Sequence, residues 1–379
     1  MSQYRIPFNR PALVGDELDH VRAAIEGGHS SGDGPYTQRC SELLESWVGA
    51  ERALLTTSCT HALEMCALLM DIEPGDEVIV PSFAFVTTAG AFALHGATPV
   101  FVDVRRDTLN LDERALRESM TDRTRAIVAL HYGGIACEMD EILEISRERG
   151  VHVVEDNAHG LFGAYKGRKL GSLGDLATQS FHETKNFICG EGGALLLNRA
   201  EWIDRAEIIR EKGTNRSRFL RGQVDKYTWV DLGSSYLPSE ILAAFLFGQF
   251  EARERVQTKR EEIWRRYEEG LADWATGHGV DLPTVPDHAS HPAHLFYLIL
   301  PSLESRSRLI EHLASRGILA VFHYQSLHLS EMGHRYGGRE GQCPVTEQVS
   351  DRLLRLPLYW GLSREEQDEV IEAVRAFEP

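Results

Sequence analysis

The sequence predicts an α/β protein of two lobes. Through the first two thirds, short β-rich runs alternate with amphipathic stretches, the pattern of a parallel α/β sheet. A chain of 379 residues exceeds one comfortable core. A long helical segment then separates this part from a shorter α/β region.

In chain order, strands are expected at 78–80, 99–104, 126–131, 152–155, 177–181 and 194–197, each a short β-rich run. Between them the apolar spacing predicts helices at 62–70, 113–120, 140–149 and 201–212. A helical segment with few breakers begins near Pro238-Ser239-Glu240, with Pro238 suited to a first-turn position, and runs toward Trp274. It is expected to join the lobes. Beyond it come strands near 295–300 and 319–323 and helices at 306–316, 346–354 and 365–377. This places a large domain at 1–245 and a smaller C-terminal one at 246–379.

The hydrophobic fraction of 42% and charged fraction of 26% are those of a water-soluble globular protein. No stretch approaches the ~20 apolar residues of a membrane span, and the start Met1-Ser2-Gln3-Tyr4-Arg5-Ile6-Pro7 lacks the apolar core of a secretory signal. A cytoplasmic location is the expectation. Cysteines 40, 59, 66, 137, 189 and 343 form no CxxC pair or zinc-type cluster, so reduced thiols and no metal are expected. The net charge of −17 disfavours nucleic acid and anionic membrane as partners. One segment runs the other way: from Arg210 to Lys226 six basic residues face two acidic ones, a local balance of +4. It is either a solvated loop face or a grip for a diphosphate.

Two residues point to chemistry. Asp156 ends the apolar run 151–155, so a buried strand delivers its carboxylate to the carboxyl edge of the sheet, where open α/β sheets bind ligands. Lys185 follows 29 positions later in Ser180-Phe181-His182-Glu183-Thr184-Lys185-Asn186. Such a pair suits pyridoxal phosphate, which needs an amine to hold its aldehyde and a carboxylate to keep its ring nitrogen protonated. A surface lysine and a capping aspartate are the alternative. Upstream, Ser58 and Thr60 lead into the helical pattern beginning at Ala62, which is either an ordinary N-cap or a helix N-terminus for a phosphate.

The chain resembles the DegT/DnrJ/EryC1/StrS sugar aminotransferases over essentially its whole length. The resemblance rests on Gly75-Asp76-Glu77-Val78 with Pro81-Ser82-Phe83, on Phe101-Val102-Asp103-Val104, and on Val154-Glu155-Asp156. Ser180-Phe181-His182 with Lys185-Asn186, Gly190-Glu191-Gly192-Gly193, and Phe322-His323-Tyr324 with Leu327-His328 complete it. Within that family Ile6-Pro7-Phe8-Asn9, His131-Tyr132, the run 211–216 and the run 222–227 are most similar to WecE-type dTDP-4-amino-4,6-dideoxygalactose transaminases.

The resemblance implies the type I fold of pyridoxal-phosphate-dependent aminotransferases, with a large mixed-sheet domain and a smaller α/β domain. It implies Lys185 as the lysine that carries the cofactor and moves protons, and Asp156 as the partner of the pyridine nitrogen. Ser180, with Ser58, Cys59 and Thr60, matches the phosphate ligands, and Phe85 the aromatic that stacks on the ring. His159 stands where the family has a glutamine facing the ring hydroxyl; an imidazole makes that hydrogen bond and titrates near neutrality. Ser235 falls where the family's asparagine reaches a neighbouring subunit's phosphate, and Leu237 where an arginine follows, as in WecE-type chains. Gly190, Gly192 and Gly193 imply close backbone approach to the cofactor. His323 and Tyr324 resemble a substrate-side motif, with Arg216, Lys226 and Tyr227 on the substrate as well.

The implied activity is transfer of an amino group from L-glutamate to C4 of a dTDP-4-keto-6-deoxyhexose, with pyridoxamine phosphate as carrier, in a homodimer with shared sites. The rivals are amination at C3 of a 3-keto sugar and a non-catalytic cofactor-binding regulator of the same fold. A sugar 3-dehydratase of this family would have histidine in place of Lys185.

Overall fold

The computed structural model describes residues 4–379; residues 1–3, the first part of the segment read for a secretory signal, lie outside them. In chain order the strands are β1 (Arg52–Thr56), β2 (Glu77–Pro81), β3 (Thr98–Val102), β4 (Thr124–Leu130), β5 (His152–Asp156), β6 (Ala164–Tyr165), β7 (Arg168–Lys169), β8 (Leu176–Ser180), β9 (Gly193–Leu197), β10 (Ala289–Ser290), β11 (Tyr297–Ile299) and β12 (Leu353–Arg355). A central sheet of order β1-β9-β8-β5-β4-β2-β3 is parallel except for β9, which runs against both neighbours. β10-β6-β7 and β11-β12 form two small antiparallel sheets. This is the large mixed sheet of the predicted fold.

The two-residue period of a strand sends alternate side chains to opposite faces. Val78, Val80, Ala126, Val128 and Val154 enter one core with Ala62, Leu63 and Cys66 of the helix Cys59–Leu69. Their neighbours Ile79, Ile127, Ala129 and Val153 enter a second core, with Met139, Ile142 and Ile145 of the helix Met139–Arg149. Both faces are therefore covered, which explains strands that are apolar throughout. A separate core joins Ile263, Tyr267 and Leu271 of the helix Arg253–His278 to Phe296, Leu298, Leu309, Leu354 and Val370 around β11 and β12. At roughly 1.5–3 kcal/mol for each fully buried large apolar side chain, these cores outweigh any single polar contact.

Several expected elements differ. The helical segment from residue 240 is two helices, Glu240–Glu251 and Arg253–His278, meeting at Ala252. Ser239 caps the first with its side chain, so Pro238 lies before the helix rather than in its first turn. No strand forms at 319–323; isolated bridges Ile6↔Ile318 and Val321↔Arg355 take its place. The helix expected at 346–354 ends at Arg352, where Leu353 turns extended and opens β12. No helix of the described residues is long and apolar enough to cross a membrane.

Candidate active site

Thr56, Pro81, Leu130, Asp156 and Ser180 all end parallel strands on one edge of the central sheet, where the antiparallel β9 begins at Gly193. That edge gathers Ser58, Cys59, Thr60, Asp156, His159, Ser180 and Lys185.

At one corner the helix Cys59–Leu69 starts. Ser58 is its N-cap, with Oγ accepting from His61 N at 3.1 Å. The first backbone N–H groups of a helix have no intrahelical partner, and its dipole favours an anion there. A Cβ on Gly193 would stand 2.4 Å from Cys59 N, so only glycine leaves that N–H approachable. Ser180 pairs with Gly193 in the sheet register and reaches the same corner. The arrangement fits a phosphate.

Asp156 is buried, and burial raises its carboxyl pKa. Thr88 Oγ1 donates to Oδ2 at 2.7 Å and Ala158 N to Oδ1 at 3.3 Å, both opposing that rise. Lys185 is anchored by its backbone, N donating to His182 O at 2.9 Å, while its Nζ has no partner among the described residues. Burial brings its pKa down to about 8; Cys59 and Asp156 resist this and Arg355 adds to it. A buried carboxylate without a cation and a half-buried amine without an anion are groups in want of a ligand. Pyridoxal phosphate meets all three needs, with a pyridinium proton for Asp156, an aldehyde for Lys185 and a phosphate for the helix.

Above these lies a wall of imidazoles and phenols. His159 Nδ1 accepts from Gly133 N at 3.3 Å, which puts its proton on Nε2, 3.3 Å from Tyr324 Oη. Its ring stacks on His294 at 4.2 Å. Burial, then Lys185 and Arg355, hold its pKa well below the ordinary value. Tyr132 Oη and His323 Nδ1 are 2.7 Å apart, and His323 stacks on Tyr324 at 3.7 Å. Phe85 leads into the helix Val86–Leu94, 55% exposed and with its ring 6.4 Å from Tyr324, so it is not a core residue.

Within one chain, the remaining predicted residues stand apart. Ser235 is exposed and bridged to Glu211, while Arg216 is ion-paired with Glu211 at 3.3 Å. Lys226 and Tyr227 are exposed, the Tyr227 ring tilted against Phe219 at 5.7 Å. Nor is the segment 210–226 an open cationic patch: Arg210 pairs with Asp33, Lys212 with Glu211, Arg218 with Asp204 and Arg221 with Glu207. Among its six basic residues Lys226 alone has no ion pair among the described residues.

The structure also adds groups that the sequence did not single out. Thr88 sits in an apolar helix and carries no motif. Asn186 Oδ1 accepts from His294 Nδ1 at 2.9 Å, tying the residue after Lys185 to the start of the small lobe. His294 is more than a hundred positions from Lys185, and no spacing links them.

The sequence profile of the DegT/DnrJ/EryC1/StrS aminotransferase family matches residues 11–375. The spore coat polysaccharide biosynthesis protein SpsC of Bacillus subtilis is 33% identical over 378 residues, 98% of this chain and 96% of the relative. Among solved structures, the putative sugar aminotransferase Spr1654 of Streptococcus pneumoniae in its PMP form superposes with a TM-score of 0.91 at 26% identity, covering 98% of both chains. DesV of S. venezuelae does so with a TM-score of 0.89 at 29% identity and the same coverage. With Lys185, Asp156 and the phosphate corner on one sheet edge, the chain belongs to the DegT/DnrJ/EryC1/StrS aminotransferase family and is a sugar aminotransferase that uses pyridoxal phosphate.

Proposed function

We propose that the protein transfers the amino group of L-glutamate to C4 of dTDP-4-keto-6-deoxy-D-glucose, giving a dTDP-4-amino-4,6-dideoxyhexose and 2-oxoglutarate. The observation that carries transamination is Lys185, a half-buried amine whose Nζ has no partner among the described residues, with a pKa brought down by burial, on the same sheet edge as the buried Asp156. The C4 assignment rests on the WecE-type runs at 6–9, 131–132, 211–216 and 222–227.

Bound pyridoxal phosphate supplies the electron sink and carries the amino group from donor to keto sugar. Asp156, oriented by Thr88, would pair with the protonated ring nitrogen. Lys185, whose pKa of about 8 lets it lose its proton far more readily than an ordinary lysine, would hold the aldehyde and move a proton to and from the reacting carbon. Ser58, Cys59, Thr60 and Ser180 would hold the phosphate, Phe85 would cover the ring, and His159, whose Nε2 faces Tyr324 Oη, would stand toward the ring hydroxyl. His323 and Tyr324, joined to Tyr132, present a polar wall to the sugar.

The protein acts as a cytoplasmic homodimer with shared sites. Phe219, Leu220, Tyr227, Trp229, Val230 and Leu232 are exposed in one chain, an apolar run that a second copy would cover while bringing Ser235, Arg216 and Lys226 to its site. Incubation with dTDP-4-keto-6-deoxyglucose and glutamate, followed by NMR of the product, tests the reading. Ring proton couplings that place the amine at C4 support it and also give galacto or gluco; an amine at C3, or no aminated sugar, refutes it.

A further inference from the structure

Arg355 ends β12 opposite Tyr297 and beside the bridge to Val321. Its Nε and Nη2 donate to Phe322 O at 3.3 and 2.9 Å, and the guanidinium lies over the Phe8 ring, 4.6 Å from its centroid. The fork is thus fixed to the residue that precedes His323. In a chain with 57 acidic residues against 40 basic ones, no carboxylate comes within 4.0 Å of it among the described residues. Nη1 has no partner among them either. Its charge acts on Lys185, His159 and His323, lowering the pKa of each, and is felt by Tyr132 and Tyr324. By geometry Arg355 stands behind the imidazole and phenol wall of the site, its fork on Phe322 O and the next residue, His323, bonded to Tyr132 and stacked toward His159. Arg260, another buried cation without a carboxylate, is spent on the carbonyls of Ala293 and His294.

We infer that Arg355 binds the α-carboxylate of the amino donor and so holds the donor's Cα beside Lys185. This rests on the transaminase reading with an α-amino-acid donor. The α-carboxylate is one bond from the carbon whose nitrogen moves, so its partner must act in the cavity of Lys185. A nucleotide diphosphate is separated from C4 by the hexose ring and belongs farther out. A guanidinium fixed along one edge keeps donors free for a carboxylate, and in a half-buried site such a pair is strong.

The test uses the cofactor-loaded dimer with Arg355→Gln and Arg355→Lys. The probes are 2-methylglutamate, a donor analogue without a Cα proton, and dTDP alone, both followed by calorimetry. The Kd for 2-methylglutamate should rise about 100-fold in the Gln variant and about tenfold in the Lys variant, which keeps the charge but not the fork. The KM for glutamate should rise in parallel, with dTDP affinity within about twofold of wild type. Unchanged analogue affinity in the variants overturns the inference, as does loss of dTDP affinity in its place. Should the Gln variant fail to fold, the Lys variant decides by the same two readings. A wild-type enzyme that binds no α-amino acid refutes the donor reading and the inference with it; one that binds and is indifferent to Arg355 refutes the inference alone.

Discussion

Thr88 Oγ1 donates to Asp156 Oδ2 at 2.7 Å, and both side chains are buried. The bond joins the first turn of the helix Val86–Leu94 to the end of β5 and opposes the burial that raises the carboxyl pKa. Thr88→Val keeps the volume and removes the donor. The carboxyl pKa must then rise, so the acidic limb of the kcat/KM profile should move to higher pH and kcat should fall about tenfold, the scale of one hydrogen bond to a charged group. Thr88→Ser should restore the profile. A valine variant with an unshifted acidic limb would show that the contact does not tune Asp156.

Lys185 gives a pH dependence of defined sign. Its folded pKa of about 8 lies below that of an unfolded lysine, near 10.4, so between these values the unfolded chain binds more protons. Stability of the apoprotein should rise with pH through that window by roughly 3 kcal/mol more in the wild type than in Lys185→Met, where the group is absent. Urea midpoints of both proteins from neutral to alkaline pH measure the difference. Capture of pyridoxal phosphate should accelerate through the same pKa of about 8, and borohydride should then leave the label on Lys185. Parallel stability curves, or a label on another lysine, would contradict the assignment.

Glu240 gives a prediction about stability alone. Its buried carboxylate accepts from Gly34 N at 3.1 Å, Tyr36 N at 2.8 Å, Thr37 N at 2.9 Å and from the Thr37 hydroxyl. It thereby caps the helix Pro35–Val48 from the first turn of the helix Glu240–Glu251. Glu240→Ala strands these donors and should cost roughly 3 kcal/mol or more; Glu240→Gln keeps an acceptor and should cost about half. Denaturant midpoints decide, and a loss below about 1 kcal/mol for alanine would show that the helix end finds other partners.

The sheet was legible in the sequence because strands buried on both faces are largely apolar runs, and β2, β3, β4, β5 and β9 announce themselves that way. β1 was overlooked beside the hydroxyl-rich turn that follows it, and the helix Val86–Leu94 because its buried apolar stretch carries no amphipathic stripe. At the site, Lys185 and Asp156 could be read since a strand end and a nearby loop bring them together by local topology. Thr88, His294 and Arg355 could not: each meets the site through tertiary packing, which no spacing encodes. Charge counting misled as well. The local balance of +4 at 210–226 is dispersed by Asp33, Asp204 and Glu207, which lie outside the segment.

Lys226 is what remains of that charge, and it offers the last test. In one chain it makes no hydrogen bond, ion pair or ring contact with the Lys185 cluster, and it stands in an exposed apolar run in which Trp229 is 73% and Leu232 63% accessible. If a second copy covers this run and receives Lys226 at its own site, each site takes Lys185 from one subunit and Lys226 from the other. Lys185→Ala homodimers should be inactive, and Lys226→Glu homodimers should bind the nucleotide sugar poorly. Mixed in equal amounts through unfolding and refolding, half the dimers are hybrids, and each hybrid has one site with both intact residues and one with neither. Activity should therefore return to about a quarter of the wild-type value. Differential tags allow the hybrid to be isolated, where the value should be about one half. Sites confined to one chain give the opposite result, because in every hybrid each site then keeps one defect. No recovery in verified hybrids would place Lys226 outside the site.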